Sequence, residues 1–235
     1  MQWLRIVCLL IFSSLAVAQP ITQGQSQYRL LEFKDGLPNP IVAAIAQDRA
    51  GYIWVGTKDG LARYDGKVFK VFRHLQGDAQ SLPSNFVQSI HIDAKDRIWL
   101  GIEGFGLYRF NRDNSSFTAI PLFAGKGSQP VDIWAISSDQ TGSIWLGTFG
   151  HGLFRIKPDE RVQHFMPTPH KTGLPDENVL SLAFDKQGFL WVATSSGLVK
   201  WKNEQFIAFN NELLSSKVVL NLMPDAQFGM WLGTN

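Results

Sequence analysis

Apolar residues in this chain come in short runs, each closed off by polar turn residues. Ile41–Gln47 (IVAAIAQ), Tyr52–Thr57 (YIWVGT), Gly60–Tyr64 (GLARY) and Val68–Phe72 (VFKVF) follow one another closely. They are of strand length and rich in β-branched and aromatic residues, so four successive strands are predicted. Asp48 and Gly51 bracket a type I turn between the first two, and Tyr64-Asp65-Gly66 separates the last two.

The same order of strands then repeats. The stretch YIWVGTKDGLARYD (52–65) returns as RIWLGIEGFGLYRF from Arg97, SIWLGTFGHGLFRI from Ser143 and FLWVATSSGLVKW from Phe189, and GMWLGTN closes the chain. Its tryptophans stand at 54, 99, 145, 191 and 231, so 45, 46, 46 and 40 residues separate them. A small residue follows each by two positions (Gly56, Gly101, Gly147, Ala193, Gly233), and an aspartate precedes each by six (Asp48, Asp93, Asp139, Asp185, Asp225). Glycine recurs three residues after the aspartate at Gly142 and Gly188, whereas the second repeat has Asp96 there. Fourth strands recur as SFTAI, VQHF and QFIAF.

Four-stranded units of this period predict an all-β fold, a β-propeller whose blades span approximately 37–81, 82–128, 129–173, 174–215 and 216–235. A single small sheet cannot bury both faces, so blades must stack face to face, with the tryptophans and aliphatic residues between them. Ala44, Ser89, Ala135, Ser181 and Asn221, ten residues before each tryptophan, fall in the innermost strand, where space is short. Four repeats are full and the fifth holds only its first two strands. YRLLEF (28–33) alternates like a strand and occupies a fourth-strand position. The expectation is an incomplete ring, part of a seven-bladed propeller; the alternative is a five-bladed ring with a degenerate last blade.

Composition adds location. Residues 1–18 read as a signal peptide, with Arg5, the apolar run IVCLLIFSSLA and Ala16-Val17-Ala18 as the cleavage site; residues 19–27 form a polar linker. Eleven apolar residues are well short of the ~20 that span a bilayer, which argues against an uncleaved anchor. The only cysteine, Cys8, lies within that segment, so the exported chain would hold no disulfide, thiolate metal site or cysteine nucleophile. With 22 basic and 20 acidic residues and no basic tract, the chain lacks the concentrated positive face that nucleic acid requires.

In an antiparallel blade alternate loops share a face. Loops before the first strand (36–39, 82–85, 129–132, 174–178) and between the second and third therefore form one rim, opposite the aspartate turns. The second set varies while its flanks stay fixed: Lys58-Asp59, Glu103-Gly104-Phe105, Phe149-Gly150-His151 and Ser195-Ser196. A changing rim on a constant scaffold is where ligand contacts are expected, so Lys58, Asp59, Glu103, Phe105, Phe149, His151 and Asn178 are the candidate ligand-binding residues for a small-molecule or glycan-like ligand. No catalytic residue, cofactor or metal motif emerges: the five histidines lack zinc spacing, and no Gly-x-Ser-x-Gly elbow or phosphate loop is present. A catalytic set drawn from several blades would escape a linear scan, and Glu103 and Glu177 are its candidates. Trp134 and Trp201, off the repeated column, read as extra packing, and His91 as a structural histidine.

The pattern Leu-Pro-x-x-x-Val, Asp-x-x-Gly-x-Ile-Trp-Val-Gly-Thr and Gly-Leu-x-x-Tyr resembles the two-component regulator propeller repeat over residues 28–235. The resemblance implies the periplasmic input region of a bacterial membrane sensor, many of which detect glycan breakdown products, with a histidine kinase or diguanylate cyclase as output. Residues 1–235 contain neither output domain nor a membrane helix beyond the signal, so the membrane and any self-association would be reached only through further C-terminal parts. The rival expectations are an exported propeller lyase or glycosidase, and a protein-interaction scaffold.

Overall fold

A computed structural model describes residues 29–123, 131–168, 173–209, 218–225 and 229–234. The signal peptide, the polar linker (19–27) and Cys8 lie outside the described residues. All the strands belong to one compact unit, Leu31–Asn235.

Among the described residues, eighteen strands make five antiparallel sheets. The first blade is β1 (Val42–Gln47), β2 (Ile53–Thr57), β3 (Gly60–Tyr64) and β4 (Phe69–Phe72). The second is β5 (Val87–Ile92), β6 (Ile98–Ile102), β7 (Gly106–Asn111) and β8 (Ser116–Ile120), and the third β9 (Asp132–Ser138), β10 (Ile144–Phe149), β11 (Leu153–Ile156) and β12 (Val162–Phe165). The fourth comprises β13 (Val179–Phe184), β14 (Leu190–Thr194), β15 (Gly197–Lys202) and β16 (Gln205–Ala208), and a two-stranded fifth β17 (Val219–Asp225) and β18 (Gly229–Thr234). Innermost strands β1, β5, β9, β13 and β17 lie side by side in that order, so the fold is a β-propeller arc that does not close into a ring.

The core lies between blades. Trp54 packs with Ile98, Leu100 and Phe110 of the second blade. Trp99 packs with Ile144, Leu146 and Phe154 of the third, and Trp145 with Leu190, Val192 and Val199 of the fourth. The repeated glycine makes this stacking close. A Cβ on Gly56 would stand 2.7 Å from the Val87 carbonyl oxygen, and one on Gly101 2.6 Å from that of Ile133. Backbone cannot yield as a side chain can, so the column admits only the smallest residues.

Each tryptophan is also oriented by its aspartate. The indole N–H donates to the carboxylate six residues earlier at 2.8 Å (Trp54–Asp48), 3.0 Å (Trp99–Asp93), 3.1 Å (Trp145–Asp139), 2.9 Å (Trp191–Asp185) and 3.2 Å (Trp231–Asp225). In the first four blades the other carboxylate oxygen accepts a turn N–H, from Tyr52, Arg97, Ser143 and Phe189. A cation completes each of these groups: Arg112 on Asp48, Arg97 on Asp93, Arg155 on Asp139 and Lys200 on Asp185. Burial alone would raise the carboxyl pKa values, but the hydrogen bonds outweigh it and all four lie below the usual carboxylate range. Asp96 takes the left-handed turn position (φ 61°) that glycine fills elsewhere. Its carboxylate offsets that strain by accepting the Arg49 N–H and pairing with Arg112.

Among the described residues of YRLLEF (29–33) the expected N-terminal strand does not form. Arg29–Glu32 have no strand structure, Phe33–Asp35 form a 3₁₀ turn, and Leu30 and Phe33 are exposed. A fourth strand needs a third beside it, and the fifth blade has only β17 and β18 among the described residues.

Candidate ligand-binding rim and axial cleft

The leading loops of the second, third and fourth blades each clasp the loop between second and third strands of the blade before. Gly60 N–H donates to the Asn85 carbonyl at 2.7 Å, Gly104 N–H to Asp132 Oδ1 at 2.7 Å, and Gly150 N–H to Asn178 Oδ1 at 2.9 Å. Alternate loops thus share one rim, and the rim doubles as a line of clasps between blades.

That double role sorts the seven candidates. Asp59 is fully engaged: its carboxylate pairs with Arg73 at 3.1 Å and accepts from Asn85 Nδ2 at 3.2 Å. Asn178 accepts from Gly150, donates its own N–H to Asp176, and its carbonyl accepts from Ser195. Both hold blades together in this structure. Lys58 is exposed, its ammonium 5.4 Å from the Phe86 ring centroid. Glu103 is exposed, and Phe105 is 52% exposed. His151 is partly buried, with Nδ1 3.2 Å from the Phe149 carbonyl, and its own carbonyl lies 2.8 Å from His164 Nε2. Glu177 is exposed, and its carbonyl accepts from Gly152 N–H.

The structure draws the second and third blades' candidates into one run. Asp132, which takes the Gly104 N–H between Glu103 and Phe105, is the cross-strand partner of Phe149. Lys58 and Asp59 belong instead to the seam between the first and second blades.

Phe149 is half-exposed and stacks on Trp134, with ring centroids 5.0 Å apart and planes 16° apart. Trp134 packs only through this stack and is otherwise open, 41% exposed. The register of β9 and β10 shows why. Ala135 pairs with Gly147 and Ile133 with Thr148, leaving Trp134 as the extra residue of a β-bulge. Every blade bulges there, at Ala43, Gln88, Leu180 and Leu220. Aligning the repeats one residue after Ile133-type positions would have marked Trp134 as the one aromatic in that column. Trp201, by contrast, does pack, against Trp145, Phe165 and Phe206.

The bulges line a cleft of about 760 Å³ along the inner strands. Gln88, Ser89, Trp134, Ser137, Ser138, Ser181 and Asn221 supply its polar and aromatic surface. The only titratable group among its lining residues is His91, 2.8 Å from Ser138 Oγ across the blade boundary. Burial lowers the His91 pKa to about 4, against a smaller opposing pull from Asp93, so the imidazole is neutral at physiological pH. Small residues along the cleft also stitch blades: Ser89 Oγ donates to the Ile133 carbonyl at 2.7 Å, and Ser181 Oγ accepts from Leu222 N–H at 3.0 Å.

Comparison with known proteins agrees with this geometry. Residues 36–59, 81–104 and 173–196 match the two component regulator propeller family. "Histidine kinase P4" of Formosa agariphila is 33% identical over 82 residues, 35% of this chain and 6% of that protein. Two solved structures from B. thetaiotaomicron are similar, both extracellular domains described as those of hybrid two component systems. That of BT4673 has a TM-score of 0.67 at 25% identity, covering 83% of this chain and 26% of that one. That of BT3049 has a TM-score of 0.75 at 22% identity, covering 88% and 29%. This chain therefore spans only about a quarter of these domains and far less of the kinase. The matches to two component regulator propeller repeats thus fall in the first, second and fourth blades.

Proposed function

We propose that this chain is a ligand-sensing part of the periplasmic region of a bacterial transmembrane signalling protein, exported by residues 1–18. The observation that supports it most is the likeness, over 83% of the chain, to an extracellular domain described as that of a hybrid two component system. Among the described residues no helix is long and apolar enough to cross a membrane, so passage of the signal would fall to other parts of the receptor. Those parts would carry the kinase or cyclase, supply the blades that complete a seven-bladed ring, and mediate any self-association.

In this reading a small polar or glycan-like ligand contacts the rim through Lys58, Glu103, Phe105, Phe149 and His151, while Asp59 and Asn178 keep the blades in register. A ligand shifts a receptor between states only by binding them unequally. A site whose contacts come from several blades meets that requirement, since any change in blade spacing changes the fit. The test is calorimetric titration of the exported chain with oligosaccharides and small polar metabolites, followed by analysis of the recovered ligand. Saturable binding without conversion of the ligand is expected. Turnover that is lost on Glu103→Gln would replace the sensor reading with an enzyme.

A further inference from the structure

We propose that a pocket between the third and fourth blades, on the face opposite the rim, binds a small zwitterion: an α-amino acid with an apolar or aromatic side chain. The site is separate from the rim and from the axial cleft. Every residue lining it belongs to a blade whose four strands are all present.

Three observations carry the proposal. The first is that this seam lacks a crosspiece that the first seam has. Between the first and second blades, Arg112 from the turn joining β7 and β8 crosses to Asp48 at 2.8 Å and also pairs with Asp96 at 3.0 Å. Between the third and fourth blades the corresponding turn, from β15 to β16, has two residues, Asn203 and Glu204, where the other has four. Gly188 stands in the column of Asp96, so both the arginine and that carboxylate are missing here. A pocket of about 330 Å³ lies in this seam, at the small end of ligand sites and right for one amino acid.

The second is that the charges lining the pocket are incompletely paired. Arg155 reaches Asp139 at 3.4 Å and Glu204 at 3.3 Å, longer than either Arg112 pair, and its Nε is buried without a partner. Lys202 is exposed and pairs with no carboxylate among the described residues, its ammonium lying 5.1 Å from the Phe189 ring centroid. An incoming carboxylate offers Arg155 and Lys202 the short, charge-assisted bonds that they lack. It thereby releases the exposed Glu204 to accept from the ammonium of the same molecule.

The third is that Glu204 sits where the backbone disfavours it. Asn203 and Glu204 both have positive φ, 51° and 59°, and glycine is the residue that suits the second position of such a turn. The strain keeps a carboxylate at the pocket wall that a glycine would remove. Phe184, Phe189, Leu190 and Trp201 supply the apolar part of the lining, which suits a hydrophobic side chain. A ligand held by Arg155 on one side and by Lys202 and Glu204 on the other ties this seam as Arg112 ties the first.

The test titrates the exported chain calorimetrically with phenylalanine, with hydrocinnamate, which lacks the ammonium, and with phenethylamine, which lacks the carboxylate. Phenylalanine is expected to bind and to raise the melting temperature, and each analogue to bind about tenfold or more weakly. Lys202→Gln should weaken phenylalanine by a similar factor. Glu204→Gly should do the same while the unliganded chain melts no lower than wild type, because the turn is relieved. A fall in its melting temperature with phenylalanine binding unchanged would make Glu204 structural and overturn its role. Either analogue binding as tightly as phenylalanine would overturn the zwitterion, and equal binding by wild type and both variants would overturn the location. Absence of binding by all three probes would overturn the proposal as a whole. None of these outcomes bears on the rim, which the oligosaccharide titration tests separately.

Discussion

Trp145 and Trp231 occupy the same column of the repeat and make the same hydrogen bond to an aspartate six residues earlier, yet one is 1% exposed and the other 57%. The difference is the next blade. Trp145 is covered by Leu190, Val192 and Val199, whereas no following blade stands against Trp231 among the described residues. Sequence local to a blade thus sets the turn and the direction of the indole, while burial, and with it most of the stability, belongs to pairs of blades. This is the behaviour of a repeat array, in which neighbour terms dominate.

The sharpest way to break the comparison is to cut back both tryptophans. Trp145→Ala should cost about 3–5 kcal/mol in denaturant unfolding, as truncation of a fully buried aromatic does. Trp231→Ala should cost about 1 kcal/mol or less. Equal losses would mean that the indole acts mainly within its own blade.

The column of His91 offers a pH version. His91 pairs with Trp99 in register as Met223 pairs with Trp231, but His91 is mostly buried whereas Met223 is 66% exposed. The His91 pKa of about 4 lies below the unfolded value of 6.5, so the unfolded chain takes up the proton first as pH falls. Stability on this account is full above about pH 6.5 and declines to about pH 4, by on the order of 3 kcal/mol. His91→Gln should flatten that stretch. The aspartates of the turns act lower: their depressed pKa values hold stability above the ordinary 3.8 and release it only as pH falls below. A melting-temperature profile against pH separates the two windows.

Glycine gives a smaller contrast. Gly101→Ala forces a methyl group against the Ile133 carbonyl and should cost about 1–3 kcal/mol. Gly233→Ala, whose Cβ would have nothing nearer than 3.5 Å, should be close to neutral. Last, Asp48→Ala strands the buried Trp54 indole N–H and should cost about 1–2 kcal/mol, against a few tenths for Asp225→Ala, whose indole partner is exposed.

These contrasts also explain what could be read from the chain alone. The blade was legible because its signals are local: run length, turn residues and a tryptophan every 40–46 residues. The reason for the glycine column was not, because Gly56 meets Val87 of another repeat. The basic residue opposite each tryptophan (Arg63, Arg109, Arg155, Lys200) is a further column that spacing hides, since it falls nine or ten residues on and only register aligns it. Only Arg155 and Lys200 of these reach the turn aspartate; Arg112 and Arg97 serve the other two blades. YRLLEF misled because its alternation is that of a strand, while pairing needs a neighbour. On the rim, Lys58, Glu103, Phe105 and Phe149 are exposed, but variability could not show that Asp59 and Asn178 are spent on clasps. Trp134 does stack on Phe149, but its 41% exposure was not legible. A bulge adds a residue and turns its side chain from the blade interface to the cleft, and alternation counted through the bulge gives the wrong face.

The most direct measurement is hydrogen–deuterium exchange resolved to the strands. If neighbouring blades carry the stability, β6 and β10, covered on both faces, should be protected most, and β17 and β18 should exchange fastest despite an intact Trp231–Asp225 bond. Equal protection across all five blades would contradict the account, because each blade would then hold itself together without its neighbours.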